Sequence, residues 1–71
     1  MQAAGAPIRS VEALPELATR AEAASFLGLS VHTLARWAVE GVGPRMTKLG
    51  GAARYRKSHL LEYIERSDAE A

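Results

Sequence analysis

A mostly α-helical fold carrying one small β-hairpin is predicted by three features of this chain. Two short helical segments, one opening at Thr19 and one running from Val31 to Glu40, are separated only by Gly28-Leu29-Ser30. Beyond Gly41-Val42-Gly43-Pro44 the apolar period changes from helical to alternating around Gly50-Gly51-Ala52. A third helical segment then carries Leu60, Leu61, Tyr63 and Ile64.

Taken in order, residues 1–16 read as a mobile N-terminal arm, because the stretch to about Ser10 is small, Gly/Pro-bearing and aperiodic. Val11, Leu14 and Leu17 would fit one helical turn, which Pro15 interrupts. The domain proper is expected over 17–66. Thr19-Arg20-Ala21-Glu22 fits a capping box, Thr at the N-cap and Glu three residues on, followed by Ala23, Ala24, Phe26 and Leu27, with Gly28 as the stop. Ser30 stands at the next N-cap. On the second helix Val31, Leu34, Ala35, Trp37 and Ala38 fall on one side, and His32, Thr33, Arg36 and Glu40 on the other. Met46–Leu49 and Ala53–Arg56 are the hairpin strands; Thr47, Leu49, Ala53 and Tyr55 are expected inside, with Lys48, Arg54 and Arg56 outside. The third helix is expected from a Ser58 N-cap to about Arg66, with residues 67–71 a frayed acidic tail.

At 71 residues the chain has room for one domain, and a domain this small buries only about 60% of its unfolded surface. The 48% hydrophobic content speaks against disorder, and the absence of cysteine removes disulfides and thiolate zinc sites. No apolar run approaches a membrane span, and Met1–Pro7 has neither the basic nor the apolar region of a secretion signal. A cytoplasmic protein with no membrane association is the expectation. Net charge is only +1, but it is unevenly spread. Residues 31–57 hold six basic side chains against Glu40, a local +5, while residues 58–71 hold four acids against Arg66, a local −3. A basic middle third is either an electrostatic footprint for a phosphate backbone or a solvated face.

Two short helices joined by a tight glycine turn match a helix-turn-helix, whose second helix lies in the DNA major groove. There Arg36 could pair bidentately with a guanine, and Thr33 could reach a base or a phosphate, with His32 beside them. The hairpin would serve as a wing: Gly50-Gly51 permits close approach to a strand, Arg54 suits a minor groove, and Arg45, Lys48 and Arg56 suit phosphates. Trp37 is expected as a core anchor rather than a stacking platform, and Tyr55 as core or rim, its hydroxyl near a phosphate in the second case. His32 and His59 lie in different elements without acidic or cysteine partners at ligand spacing, so neither a metal nor another cofactor is expected. No nucleophile–base pair, spaced acid couple or phosphate loop is legible, and an enzyme is not expected.

The residues Thr19-Arg20-Ala21-Glu22-Ala23-Ala24-Ser25-Phe26-Leu27-Gly28-Leu29-Ser30, then Thr33-Leu34-Ala35-Arg36-Trp37, then Lys48-Leu49-Gly50-Gly51-Ala52-Ala53-Arg54-Tyr55-Arg56-Lys57-Ser58-His59-Leu60, resemble the excisionase-type, MerR-like winged helix-turn-helix group. That resemblance implies a small DNA-binding protein that binds repeated sites cooperatively, bends double-stranded DNA and steers a separate integrase towards excision. An AlpA-like transcriptional regulator with the same DNA surface is the alternative it leaves open, and a protein-interaction adaptor is a third. Carried onto this chain, it puts Thr19 and Arg20 on the DNA backbone and Ser30, His32, Thr33 and Arg36 in the major groove. Lys48, Gly51, Arg54 and Arg56 fall on the wing.

Overall fold

A computed structural model describes residues 10–70. The chain runs through a short 3-10 turn (Val11–Ala13), β1 (Leu17–Thr19), α1 (Arg20–Leu27), α2 (Val31–Glu40), β2 (Thr47–Leu49), β3 (Ala52–Arg56) and α3 (Lys57–Glu70). This is a winged helix-turn-helix: three helices around a small antiparallel sheet in the order β1-β3-β2.

Both ends of α1 and α2 are set by local chemistry. The Thr19 hydroxyl accepts from the Glu22 N–H (3.1 Å), and the Glu22 carboxylate accepts from the Thr19 N–H (2.8 Å), so the expected capping box is formed. The helix ends at Gly28 in the left-handed conformation, and the Leu29 N–H reaches back to the Ala24 carbonyl at 2.9 Å. Leu29 packs on the core, the apolar contact that such an ending favours. Ser30 caps α2, and Gly41 closes it in the same way, with the Val42 N–H bonded to the Trp37 carbonyl at 3.0 Å. The helix-turn-helix therefore follows from two caps and two stops written within 23 residues, 19–41.

Four expectations are corrected. The sequence pattern does not show β1; its three residues pair with β3, Leu17 opposite Arg56, Ala18 opposite Tyr55 and Thr19 opposite Arg54. The packed unit also begins earlier than residue 17, since Leu14 is buried in the core; the first nine residues of the expected arm lie outside the described residues. α3 starts at Lys57, directly off β3, rather than at a Ser58 cap, and continues to Glu70 through the stretch expected to fray. The Lys57 N–H is taken by the Glu16 carbonyl at 2.9 Å, so the ladder to β1 satisfies a donor that a cap would otherwise serve.

The fourth correction is one of register. Leu49 pairs with Ala52, so the hairpin loop is the two residues Gly50-Gly51, both with positive φ, and not Gly50-Gly51-Ala52. A one-residue change of register moves a strand's side chains to the other face of the sheet. Thr47 and Leu49 thus share the face of Ala52, Arg54 and Arg56, while Lys48 stands opposite Ala53 on the face of Tyr55. Leu49, expected inside, is 46% exposed.

The core lies on the Tyr55 face of the sheet: Leu14, Ala18, Ala23, Ala24, Leu34, Tyr55 and Leu60 are buried, with Phe26, Leu27, Leu29, Trp37 and Met46 packed around them. Three of these seven core residues are alanines, so α1 and β1 can lie close to the Tyr55 ring. Trp37 bridges α2 to α3, its ring 6.1 Å from that of Tyr63 at a tilt of 55°. The same indole leaves no room at Gly43, where φ is +80° and an added Cβ would fall on Cε3 of Trp37. Gly43→Ala therefore combines a disfavoured backbone with a clash against the Trp37 ring. It is expected to cost about 2–4 kcal/mol in urea unfolding followed by circular dichroism; a loss below about 1 kcal/mol would show that the loop moves away freely.

Candidate nucleic-acid interface

The outward face of the sheet sets polar and cationic groups beside the exposed Leu17 and Leu49, an order fixed by strand pairing. Arg54, on the central strand, lies opposite Thr19 on one side and Thr47 on the other. Arg56 lies one step along, opposite Leu17. Arg54 is half-buried and its Nη1 donates to the Ala53 carbonyl at 2.9 Å, a local bond that folds the guanidinium back along the strand. Arg56 is exposed. Thr19 belongs to this face and to the α1 cap at once, so the helix start and the sheet face are fixed relative to each other.

Arg20 opens α1 beside this face. Its Nε donates to the Tyr55 hydroxyl at 3.3 Å, across 35 residues of sequence. Tyr55 is 1% exposed, so its ring is core, and its hydroxyl faces Arg20. The guanidinium is consequently tethered through one nitrogen, with both terminal nitrogens left to donate elsewhere. Thr19, Arg54 and Arg56 thus share the outward face of the sheet, and Arg20 follows Thr19 directly in sequence with its guanidinium held at the Tyr55 hydroxyl.

The second group is on α2. Ser30, His32 and Arg36 are exposed and Thr33 is half-buried, as a helix lying with one face outward requires. Two of the four expected readers are occupied: the Ser30 Oγ accepts from the Thr33 N–H (3.0 Å), and the two hydroxyls lie 2.9 Å apart. Arg36 makes an (i, i+4) ion pair with Glu40 at 3.7 Å, with both side chains more than half exposed. Such a pair contributes little and is readily exchanged for another anion. Val39, 89% exposed, was not singled out by the sequence pattern. At 100° per residue it lies seven after His32 and three after Arg36, on the same outward face, and an apolar group there matches a thymine methyl. The helical period alone would have found it.

The remaining expected contacts are spread out. Lys48 is exposed on the opposite side of the sheet from Arg54 and Arg56, so the wing carries cations on both faces. Gly51 is exposed at the hairpin tip, next to Gly50. Arg45 is exposed on the α2–β2 connection, two residues before β2. Among the described residues no hydrogen bond or ion pair joins the α2 group to the sheet group. No helix is long and apolar enough to cross a membrane.

A family model described as a helix-turn-helix domain matches residues 19–68, more than two thirds of the chain. No curated protein and no solved structure matches it. The match begins at the Thr19 cap and takes in both helices, the hairpin and most of α3.

The Arg20–Tyr55 bond makes a direct prediction. Tyr55→Phe keeps the buried ring and removes only the acceptor, so stability should fall by about 0.5–1.5 kcal/mol. In the proton NMR spectrum the Arg20 Nε–H should exchange faster with water; an unchanged exchange rate would mean that the bond does not persist in solution.

Proposed function

We propose, from the premise that the chain belongs to the helix-turn-helix domain family and binds double-stranded DNA sequence-specifically, that it is an excisionase: a non-enzymatic protein that occupies adjacent repeated sites, bends the DNA and directs a separate integrase towards excision. The observation that carries this reading is how little sequence one copy can read. On α2, Ser30 and Thr33 are bonded to each other in the cap, and Arg36 has Glu40 as a partner, leaving His32 and Val39 as the unengaged groups of the outward face. Each good base contact contributes only about 1–3 kcal/mol of discrimination. A single monomer would not select a site in a genome, whereas several monomers on direct repeats would.

In this reading the sheet group supplies position and α2 supplies sequence. Arg20 and Arg56 neutralise backbone phosphates, with Thr19 as a neutral partner at the same strand edge, and Arg45 and Lys48 add phosphate contacts on either side of the wing. Arg54 swings out from the Ala53 carbonyl into a narrow minor groove, and Gly51 lets the hairpin tip approach the sugar–phosphate edge. Arg36 exchanges Glu40 for a guanine edge, and Val39 meets a thymine methyl beside it. Neighbouring monomers associate on DNA through opposite charge: Glu62, Glu65, Asp68 and Glu70 of α3 in one copy face the basic middle third of the next.

Arg54→Ala should weaken duplex binding by roughly 1–3 kcal/mol at fixed salt and leave the melting temperature nearly unchanged; equal affinity would remove the wing from the interface. The decisive experiment compares duplexes carrying one and three direct repeats, with DNA bending read by gel phasing. An excisionase binds each site of the triple repeat more tightly than the isolated site and bends the array smoothly. Equal affinity per site with no bend would make the chain an AlpA-like regulator instead. Binding to neither duplex would favour the adaptor.

A further inference from the structure

We propose that the cleft between the α2–β2 connection and α3 is a binding site for one phosphate-class oxyanion, held by Arg45, Arg66 and His59. The cleft has a volume of about 270 Å³ and is lined by Gly41, Gly43, Arg45, His59, Glu62 and Arg66. On α3, His59, Glu62 and Arg66 recur at i, i+3 and i+7 and so share one face. Arg45 enters from the other wall, carried by a loop that Gly43 presses against the Trp37 ring and that the buried Pro44 anchors. The size suits a tetrahedral anion with a few waters, since water occupies about 30 Å³ per molecule and sites for drug-sized ligands start near 300 Å³.

Three features of the lining point to an anion. Neither Arg45 nor Arg66 has a hydrogen bond or an ion pair among the described residues, where the one ion pair is that of Arg36 with Glu40. Glu62 stands four residues before Arg66, the spacing and order that ordinarily favour pairing, and yet the two are not paired. Two unengaged planar guanidinium groups on facing walls are the arrangement that grips a phosphate from two sides. The third feature is His59. Its Nδ1 is buried without a partner. The other ring nitrogen, Nε2, is a donor whenever it carries the proton. Glu62 is the one opposing charge, and it leaves the lining at a net +1.

Inorganic phosphate and a backbone phosphate of bound DNA present the same chemistry, and the second source rests on the DNA-binding reading above. The test therefore has two arms. In the first, phosphate is titrated into the full chain at constant ionic strength set with chloride, following the Arg Nε–H and His59 ring resonances by NMR. Saturable shifts of Arg45, Arg66 and His59 are expected; Arg66→Gln should weaken them about tenfold or more, as loss of a charge-assisted bond does, and Glu62→Gln should strengthen them. Gln is a good helix former at both exposed positions, and circular dichroism checks that α3 is kept.

In the second arm the salt dependence of duplex binding is compared between wild type and Arg66→Gln. A log–log slope reduced by about one identifies a backbone phosphate as the occupant. An unchanged slope together with a saturable phosphate titration identifies a free anion. No saturable shift and no change in slope overturns the proposal, as does a Glu62→Gln variant that binds phosphate more weakly. Failure of the wild-type chain to bind any duplex removes only the backbone source, because the phosphate titration is read without DNA.

Discussion

A phenol placed inside a protein needs a partner for its hydroxyl, and much of this fold is arranged around the one that Tyr55 finds. Tyr55 sits on the central strand, its ring among Leu14, Leu34, Leu60 and the small alanines of β1 and α1. Its oxygen meets Arg20 at the first residue of α1. The strand that carries it is paired on both sides and runs without a linker into α3. One side chain thus couples the sheet, the start of the helix-turn-helix and the third helix. The alanines at positions 18, 23 and 24 are the corollary: larger residues would hold α1 too far out for Arg20 to reach.

What could be read from the sequence is what local chemistry decides. The capping box at Thr19, the cap at Ser30 and the stops at Gly28 and Gly41 involve groups no more than five residues apart, and all of them stand as expected. The features that escaped are set by partners distant along the chain. β1 is three residues long, has too few side chains to show an alternation, and exists because β3 offers it a ladder 37 residues away. The start of α3 was displaced by the same ladder. The register error had a single cause, the assignment of Ala52 to the turn; once the loop is Gly50-Gly51, every side chain of β2 changes face. Of the expected contact residues, Arg36 and Arg56 are solvent-facing as the pattern implied, whereas Lys48 stands on the other face and the bond between Arg20 and Tyr55, 35 residues apart, has no signature in spacing.

The side-chain bonds bear on how such a small surface can divide its work. A hydroxyl used to cap a helix is rigid but half spent, so Ser30 and Thr33 are better suited to holding α2 at a fixed angle than to choosing between bases. Arg36 is different. Its exposed pair with Glu40 costs little to break, so the guanidinium is held loosely and can exchange Glu40 for another anion. The tethered Arg20 and the folded-back Arg54 divide similarly: the first is presented from a buried anchor, and the second must leave a local carbonyl before it can reach anything. The one preorganised cation of these therefore lies at the start of α1, and adaptable ones lie on α2 and along the wing.

The joint between α2 and α3 has an optical consequence. Trp37 is the one tryptophan in 71 residues, and its indole touches the Gly43 loop on one side while facing the Tyr63 ring at 6.1 Å on another. Near-ultraviolet light absorbed by Tyr63 can pass to Trp37 across that gap, and light that only an indole absorbs excites Trp37 alone, so that emission originates at one known place. Its colour and intensity report how tightly the second helix is seated against the third, and how the loop leading to Arg45 lies against the ring. The molecule carries its own fluorescent gauge of the contact that positions its outward-facing helix, and needs no label to be watched in solution.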